Sequence, residues 1–311
     1  MKDLKVIFMG TPSFCLPLLN ALINNYNVIG IVTKPDHLVG TSVKYPPVKK
    51  VAIQNNIRLF QPEKINKKVN EIVSLKPDII ITCAYGQMIP KKLIEAPRFG
   101  CINVHASLLP KLRGGAPIHW AIIKGYQKTG ITIMYMVETL DAGDIISQQE
   151  TIISDEDNVG TLHDRLSIMA KDLLLDTLPD IMAGNVKPIK QKREEVTYAR
   201  NIKREDEKIE FDHSKREVFN YIRGLNPWPG SYTVLEDKII KLWSSRIGEN
   251  GYSNHINGEI IKLYEDGIGV KVSDGEIIIT ELQIEGKKRM SAKDYLNGLQ
   301  NKELLIGKIF R

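Results

Sequence analysis

Residues 4–33 have the sequence LKVIFMGTPSFCLPLLNALINNYNVIGIVT, and this stretch decides the fold. It begins and ends with short apolar runs rich in β-branched residues, at positions 4–9 and 28–33, and these predict two strands. Between them, residues 14–25 have the apolar spacing of a helix, and Thr11-Pro12-Ser13 is typical of a helix start. The stretch therefore predicts a strand, a helix and a second strand.

The same alternation continues toward the middle of the chain. Further strands are predicted near residues 58–59 and at 78–83, 100–104, 129–136 and 144–150. Further helices are predicted at residues 47–55, 64–75, 86–94, 116–124 and 160–182. Repeated alternation of this kind is typical of an α/β domain with a mostly parallel sheet that carries helices on both faces.

The pattern changes in the last third of the chain. After a helix at residues 215–225, short strands are predicted at residues 232–235, 238–244, 256–264, 269–272 and 276–282, and a terminal helix at 291–299. Short strands separated by proline and glycine turns favour a small antiparallel barrel of the oligonucleotide-binding type. We therefore expect two domains, at residues 1–188 and 207–311, joined by a linker at 189–206.

Charge is distributed unevenly between these parts. The chain has a net charge of +6 and a pI near 9.0, and the positive excess lies in the first part and the linker region. Within the basic connector, residues 185–204, seven basic residues outnumber the acidic Glu194 and Glu195: Lys187, Lys190, Lys192, Arg193, Arg200, Lys203 and Arg204. This basic segment suits a phosphate backbone, although a solvated linker would have the same composition.

Composition excludes several other classes of protein. A hydrophobic content of 42% is ordinary for a globular protein, and the longest apolar runs are too short to cross a bilayer, so a cytoplasmic protein is expected. The three cysteines, Cys15, Cys83 and Cys101, lie in apolar contexts without metal-binding spacing and predict buried free thiols. The turn at Gly10 lacks the other glycines of a dinucleotide site and predicts only a tight turn from strand to helix.

Asn103 and His105 are the strongest catalytic candidates. Alternate residues at the end of a strand point the same way, so an amide and an imidazole can meet one substrate oxygen together. Asp141, in Leu-Asp-Ala-Gly-Asp, can orient a protonated His105 and accept a proton from an attacking amine. A turn cap is the alternative interpretation of Asp141. Together the three residues suit transfer of an acyl group to an amine without a covalent intermediate.

The residues after His105 predict a ligand-contacting loop. Ser107, Leu108, Leu109 and Pro110 can offer a hydroxyl, backbone groups and an apolar wall to a flat heteroaromatic ligand. Lys111 and Arg113 follow, and we expect them either to meet an anionic group or to be solvated loop residues.

These segments together resemble the methionyl-tRNA formyltransferases, within the wider group that uses 10-formyltetrahydrofolate. The resemblance spans nearly the whole chain and rests on Phe8-Met9-Gly10-Thr11-Pro12, Ala84-Tyr85-Gly86, residues 103–110, residues 113–118, residues 140–144, Asn226-Pro227-Trp228-Pro229 and residues 286–290. The motifs of the first part identify the folate-dependent group, and the last two favour the tRNA branch.

The resemblance implies a Rossmann-like catalytic domain and a barrel-like domain that holds tRNA. It implies transfer of the formyl group of 10-formyltetrahydrofolate to the amino group of methionyl initiator tRNA, with Asn103, His105 and Asp141 catalytic and Ser107 to Pro110 at the folate. It implies no metal, no nicotinamide and a monomer. The rival hypotheses are a formyltransferase acting on a nucleotide-linked amino sugar and a catalytically idle RNA-binding protein.

One segment departs from the family pattern. Family members carry a basic, glycine-containing loop after the second strand, whereas residues 34–47 are shorter and less basic here, with Thr41 where an arginine is usual. We expect Lys44, Lys49 and Lys50 to compensate by contacting phosphates.

Overall fold

A computed structural model describes residues 3–311, and its contacts divide the chain into two compact units. The first unit is formed by the residues up to Pro117 together with Lys128–Ile152 and His163–Arg200. The second is formed by Ile118–Gln127, Ile153–Leu162 and Asn201–Arg311. Within residues 3–311, none of the helices combines the length and the apolar content needed to cross a bilayer.

A seven-stranded sheet forms the centre of the first unit. The strands of this part of the chain are β1 (Lys5–Gly10), β2 (Asn27–Val32), β3 (His37–Val39), β4 (Ser42–Lys44), β5 (Leu59–Phe60), β6 (Ile79–Cys83), β7 (Cys101–His105), β8 (Lys128–Tyr135) and β9 (Ile145–Ile152). The order in the sheet is β5-β2-β1-β6-β7-β8-β9, while β3 and β4 form a separate hairpin. The pairs from β5 to β7 are parallel and those from β7 to β9 antiparallel, so the predicted mostly parallel sheet is confirmed.

Helices cover this sheet because its central strands are apolar on both faces. The helices up to residue 183 are α1 (Leu16–Asn25), α2 (Pro47–Gln54), α3 (Val69–Ser74), α4 (Lys91–Glu95), α5 (Pro117–Ile123) and α6 (Val159–Ala183). Alternate residues of the strands share a face, and Ile7, Met9 and Ile80 pack in one cluster with Ile72 of α3 and Leu93 of α4. This packing fixes the level at which the strands end.

One local prediction for the first unit is wrong, and one element was not predicted. The helix expected at residues 86–94 is reduced to α4, because Ala84 and Gly86 adopt left-handed backbone conformations and Pro90 is extended at the N-cap. The hairpin of β3 and β4 was not predicted, since its strands are short and mostly exposed and carry no apolar alternation. The tight turn at Gly10 is confirmed, because a Cβ there would lie 2.9 Å from the carbonyl oxygen of Cys83.

The second unit contains the predicted antiparallel β domain. Its elements are α7 (Lys215–Arg223), β10 (Ser231–Leu235), β11 (Lys238–Asn250), β12 (Ile260–Leu263), β13 (Ile268–Val272), β14 (Gly275–Ile284), β15 (Met290–Ser291) and α8 (Ala292–Asn297). The strand order is β10-β11-β14-β13-β12, and β15 pairs with β14. A capping box between Ser214 and Glu217 starts α7, and this helix packs on β11.

The C-terminal residues close this sheet into a barrel. Arg311 exchanges backbone hydrogen bonds with Val234 in edge strand β10, and Ile260 in edge strand β12 exchanges bonds with residues 307–308. The two edges are thereby joined, which removes the unpaired strands that an open sheet would leave. Strand β12 is shorter than the strand predicted at residues 256–264, because Gly258 has a left-handed φ of 88° and lies against the Phe310 carbonyl.

The three cysteines are buried free thiols, as the sequence predicts. Burial raises the pKa of the Cys101 thiol. The pKa of the Cys83 thiol is raised by the contact of Cys83 with Cys15 and by burial. Raised thiol pKa values and burial both suppress the reactive thiolate.

We predict that Phe310→Ala opens the barrel closure and lowers the stability of the second unit by about 3–5 kcal/mol. Phe310 is 5% exposed and stacks on Phe211 with ring centroids 5.9 Å apart. Tryptophan fluorescence during urea unfolding measures this, since all three tryptophans lie in the second unit. Leu304→Ala is the control, because Leu304 is 66% exposed; equal midpoints for the two variants would contradict the closure.

Candidate active site

Three side chains predicted to act together do lie together in the first unit. Asn103 and His105 come from the end of β7, and Asp141 comes from the loop between β8 and β9. The Asn103 amide nitrogen is 3.4 Å from Asp141 Oδ1, and His105 Nδ1 is 3.7 Å from Asp141 Oδ2. Both β7 side chains therefore point to one side of the strand end, as the two-residue period of a strand requires.

The orientation of His105 is set by a backbone carbonyl. Its Nε2 lies 3.0 Å from the carbonyl oxygen of Leu112, which can only accept, so Nε2 carries a proton. Nδ1 is then the nitrogen left for proton transfer, and it faces Asp141. The imidazole is 6% exposed and the Asp141 side chain 9%, so their mutual attraction is little screened by water when the ring is protonated.

The Asp141 carboxylate is held by the backbone of another loop. Gly114 donates its N–H to Asp141 Oδ2 over 2.8 Å, and Asp141 itself adopts a left-handed φ of 48°. Gly143 completes this turn, because a Cβ at that position would lie 1.7 Å from the Tyr135 carbonyl oxygen. The Asp-Ala-Gly sequence thus forms a turn and also holds the Asp141 carboxylate beside His105 and Asn103.

Asn103 is oriented by the strand beside it. It pairs in register with Thr82 of β6, whose hydroxyl lies 2.8 Å from Asn103 Oδ1 and can donate to it. Because the amide oxygen faces a donor, the amide nitrogen faces Asp141 and the open side of the site. One amide donor, one imidazole and one carboxylate therefore converge on a common space, which suits a developing oxyanion next to an amine.

Residues 107–110 form a rigid wall beside these groups. Ser107 is fully buried and donates its hydroxyl proton to the Lys111 carbonyl over 2.6 Å. Leu109 is buried in a cluster with Met134 and Ile145. Leu108 and Pro110 are half-buried, so apolar groups of this stretch, rather than the Ser107 hydroxyl, are available to a ligand.

The buried hydroxyl of Thr132 in β8 anchors this wall. It donates to the Ser107 carbonyl over 2.6 Å and accepts from the Leu109 N–H over 3.1 Å. Gln148 in β9 donates its amide protons to the Thr132 hydroxyl over 2.8 Å and to the Leu109 carbonyl over 2.9 Å. The backbone of the predicted ligand-contacting stretch is therefore satisfied by side chains of two neighbouring strands.

Comparison with known proteins places this site in a family. The family model of formyl transferase matches residues 4–178, and the model of the formyl transferase C-terminal domain matches residues 201–300. Methionyl-tRNA formyltransferase of Bacillus velezensis is 49% identical over 300 residues, which are 94% of each chain, and that of Staphylococcus aureus strain bovine RF122 is 49% identical over 98% of each chain. The chain belongs to the formyl transferase family.

Solved structures of other proteins share the fold of this family member. The sugar 3N-formyl transferase WlaRD superimposes with a TM-score of 0.66 at 20% identity over 92% of this chain and 99% of its own. HypX from Aquifex aeolicus gives a TM-score of 0.65 at 16% identity over 96% of this chain and 48% of its own. At these identities the likeness concerns the fold alone: a Rossmann-like unit and an antiparallel β unit.

Arg113 of this formyl transferase corrects one expectation. The sequence suggested a solvated or anion-binding loop residue, but Arg113 is 8% exposed, and its Nε and Nη2 both donate to Gln191 Oε1, over 3.0 and 2.7 Å. No motif or spacing singles out Gln191, which lies within the basic connector. The roles of Thr82 and Thr132 could have been suspected from the sequence, since each is a polar residue inside an apolar strand.

The hairpin of β3 and β4 occupies the segment that departs from the family pattern. Leu38 and Tyr45 are exposed there. The Lys49 ammonium is 2.5 Å from the Asp36 carboxylate and lies over the Tyr45 ring, so part of its charge is neutralised. Lys44 is exposed, which leaves it more available to phosphates than Lys49.

We predict that Thr132→Val lowers the free energy of unfolding by about 1–3 kcal/mol, because it leaves a buried N–H and a buried carbonyl of residues 107–109 unsatisfied. Thr129→Val is a matched control on the same strand. Its buried hydroxyl has no hydrogen-bond partner among residues 3–311, so its removal should be neutral or stabilising. Urea unfolding of both variants, followed by circular dichroism, tests this; equal losses would contradict the anchoring.

Proposed function

We propose that this formyl transferase transfers the formyl group of 10-formyltetrahydrofolate to the α-amino group of methionyl initiator tRNA. The observation that carries the proposal is 49% identity, over 94–98% of the chain, to proteins named methionyl-tRNA formyltransferase. The products are N-formylmethionyl-tRNA and tetrahydrofolate, and the proposal assigns the enzyme to translation initiation, to the cytoplasm and to a monomeric state.

In the proposed reaction the neutral amine attacks the formyl carbon, and the formyl oxygen becomes negatively charged. Asn103 Nδ2 and the protonated Nδ1 of His105 donate to that oxygen, each lowering the barrier by a few kcal/mol in a site of low dielectric. Asp141 accepts the proton released by the attacking nitrogen, and the adduct collapses when the folate nitrogen leaves and takes up a proton. The close approach of these three groups, with Nε2 of His105 already engaged, supports this assignment.

The folate is proposed to lie against Leu108 and Pro110, with the backbone of Ser107 and Leu109 behind them. The half-buried apolar side chains and the fixed backbone of this stretch support that placement. The sugar 3N-formyl transferase that shares the fold was crystallised with 5-N-formyl-THF, a related folate. No metal is needed for this chemistry, because neutral and cationic donors face the developing charge.

We further propose that tRNA phosphates contact the basic connector and the barrel. The seven basic residues of the connector named above are exposed. Three of them, Lys192, Lys203 and Arg204, pair with neighbouring glutamates. Lys187, Lys190 and Arg193 are then the main candidates for phosphate contacts.

The decisive assay gives the purified protein 10-formyltetrahydrofolate and either methionyl initiator tRNA or a nucleotide-linked amino sugar. We expect formylation of the tRNA to exceed that of the sugar by more than about 10²-fold in kcat/KM, since a site built for one amine leaves polar groups unpaired with the other. Preference for the sugar would overturn the proposal, and tRNA binding without formylation of either acceptor would identify an idle binding protein.

We predict that Asp141→Asn and His105→Ala each reduce kcat by about 10²–10⁴-fold, because their interactions form in the transition state. The affinity for tRNA should stay within about twofold of the parent value, since these nearly buried groups contribute little to phosphate binding. Single-turnover formylation and filter binding measure the two quantities. Glu138→Gln serves as the control, because Glu138 is an exposed carboxylate in the same loop; a comparable loss there would refute the specific role of Asp141.

A further inference from the structure

The side-chain amide of Gln191 makes four hydrogen bonds to nitrogen and oxygen partners, besides a longer one of 3.9 Å to Met134 Sδ. Its Nε2 donates to the backbone carbonyls of Asp141, over 2.9 Å, and of Gly143, over 2.8 Å. Its Oε1 accepts from Nε and Nη2 of Arg113. Both amide protons and the amide oxygen are therefore used, and they connect the loop of Asp141 to the loop of Arg113.

The direction of this amide is imposed by Arg113. A guanidinium has donors only, so the oxygen of Gln191 must face it, and the NH₂ group must then face the two carbonyls. Both N–H groups of Arg113 converge on this one oxygen, so the edge of the guanidinium that carries Nε and Nη2 faces Gln191. Because Arg113 is nearly buried, losing this acceptor would leave two charged donors unsatisfied in a low-dielectric setting.

The two loops that Gln191 connects also meet at the carboxylate. Gly114, next to Arg113, donates its N–H to Asp141 Oδ2. Gln191 thus holds the main chain of Asp141 from one side while Gly114 holds its side chain from the other. A shift of either loop changes the distance from Asp141 to His105 and Asn103.

The backbone on both sides of Gln191 is fixed as well. Ile189 and Ile145 exchange two backbone hydrogen bonds of 2.8 Å. Further along the chain, Arg113 donates to the Thr197 carbonyl over 2.9 Å and accepts from the Ala199 N–H over 2.7 Å. These hydrogen bonds tie the segment to the first unit, so the backbone that carries Gln191 is held in place.

We propose that Gln191 is a positioning residue for Asp141, which sets the place of the carboxylate relative to His105 and Asn103. This inference rests on the proposed function for its kinetic part. Because Gln191 contacts only the backbone of Asp141, its loss should displace the carboxylate and leave the carboxylate's chemistry and the substrate contacts intact. The effect should then appear in kcat and not in KM.

The first test is Gln191→Glu. The new carboxylate keeps an acceptor for Arg113, so the fold is retained, but it loses the two donors and turns oxygen toward two carbonyl oxygens. We expect kcat to fall about 10–10²-fold, as a small misplacement of a catalytic group does, while KM for both substrates changes less than about twofold. Gln191→Met, which retains the side-chain length without the amide, should lose activity as well. Glu194→Gln is the control, because Glu194 is an exposed residue of the same segment.

A double variant separates positioning from a general structural role. In an Asp141→Asn background the carboxylate is already absent, so adding Gln191→Glu should cost less than about twofold in kcat. A full additional loss in that background would show that Gln191 does not act through Asp141 and would overturn the inference. An unchanged kcat in Gln191→Glu alone would overturn it equally.

An activity-independent measurement keeps this inference distinct from the proposed function. The Gly114 N–H is protected by Asp141, so Gln191→Glu should speed its hydrogen exchange at least about tenfold, whichever acceptor the enzyme formylates. Glu194→Gln should leave that rate unchanged. If the wild-type protein formylated neither acceptor, the proposed function would fail, and exchange at Gly114 would still decide the positioning: faster exchange supports it, and unchanged exchange refutes it.

Discussion

The hydrogen bond from the Gly114 N–H to the Asp141 carboxylate is the interaction on which the site depends. It joins two loops that follow different strands, and it places a negative charge beside a histidine whose other nitrogen is already committed to a carbonyl. Both ends require unusual backbone. Gly114 has φ 121° and Asp141 φ 48°, and a Cβ at position 114 would lie 2.6 Å from the Ala199 carbonyl oxygen. The carboxylate therefore keeps its place only while the surrounding segments keep theirs.

Hydrogen-bonded polar side chains supply that constraint around the site. Thr82 directs the Asn103 amide, Thr132 and Gln148 fix residues 107–109, and Gln191 fixes the loop of Asp141. Most of these bonds end on main-chain atoms, which cannot rotate away from their partners as side-chain atoms can. Networks of this kind stabilise a fold only when every member is satisfied, and the Thr132 hydroxyl and the Gln191 amide use all their donors. These hydrogen bonds make the site rigid, and removing one of their side chains leaves polar groups unsatisfied.

The sequence predicts the strands and the pairing of Asn103 with His105 because those features are local. Apolar runs mark β1 and β2, and the two-residue spacing of Asn103 and His105 places both on one side of β7. The contacts that hold them are not local: Arg113 and Gln191 lie 78 positions apart, and no periodicity connects them. Backbone exceptions also escaped prediction, as when left-handed conformations at Ala84 and Gly86 shortened the helix expected there to α4.

The connector combines exposed basic residues with a glutamine whose side chain points toward the site. Neighbours of an inward-pointing residue on extended backbone point outward, and Lys190 and Lys192 on either side of Gln191 are exposed. One segment thus presents cations to solvent while its half-buried Gln191 amide holds the loop of the carboxylate. Phosphates bound by those cations would lie one residue away from the side chain that positions Asp141. In the proposed function, the charge of this segment serves phosphate binding, and Gln191, the neutral residue between the two lysines, serves the position of Asp141.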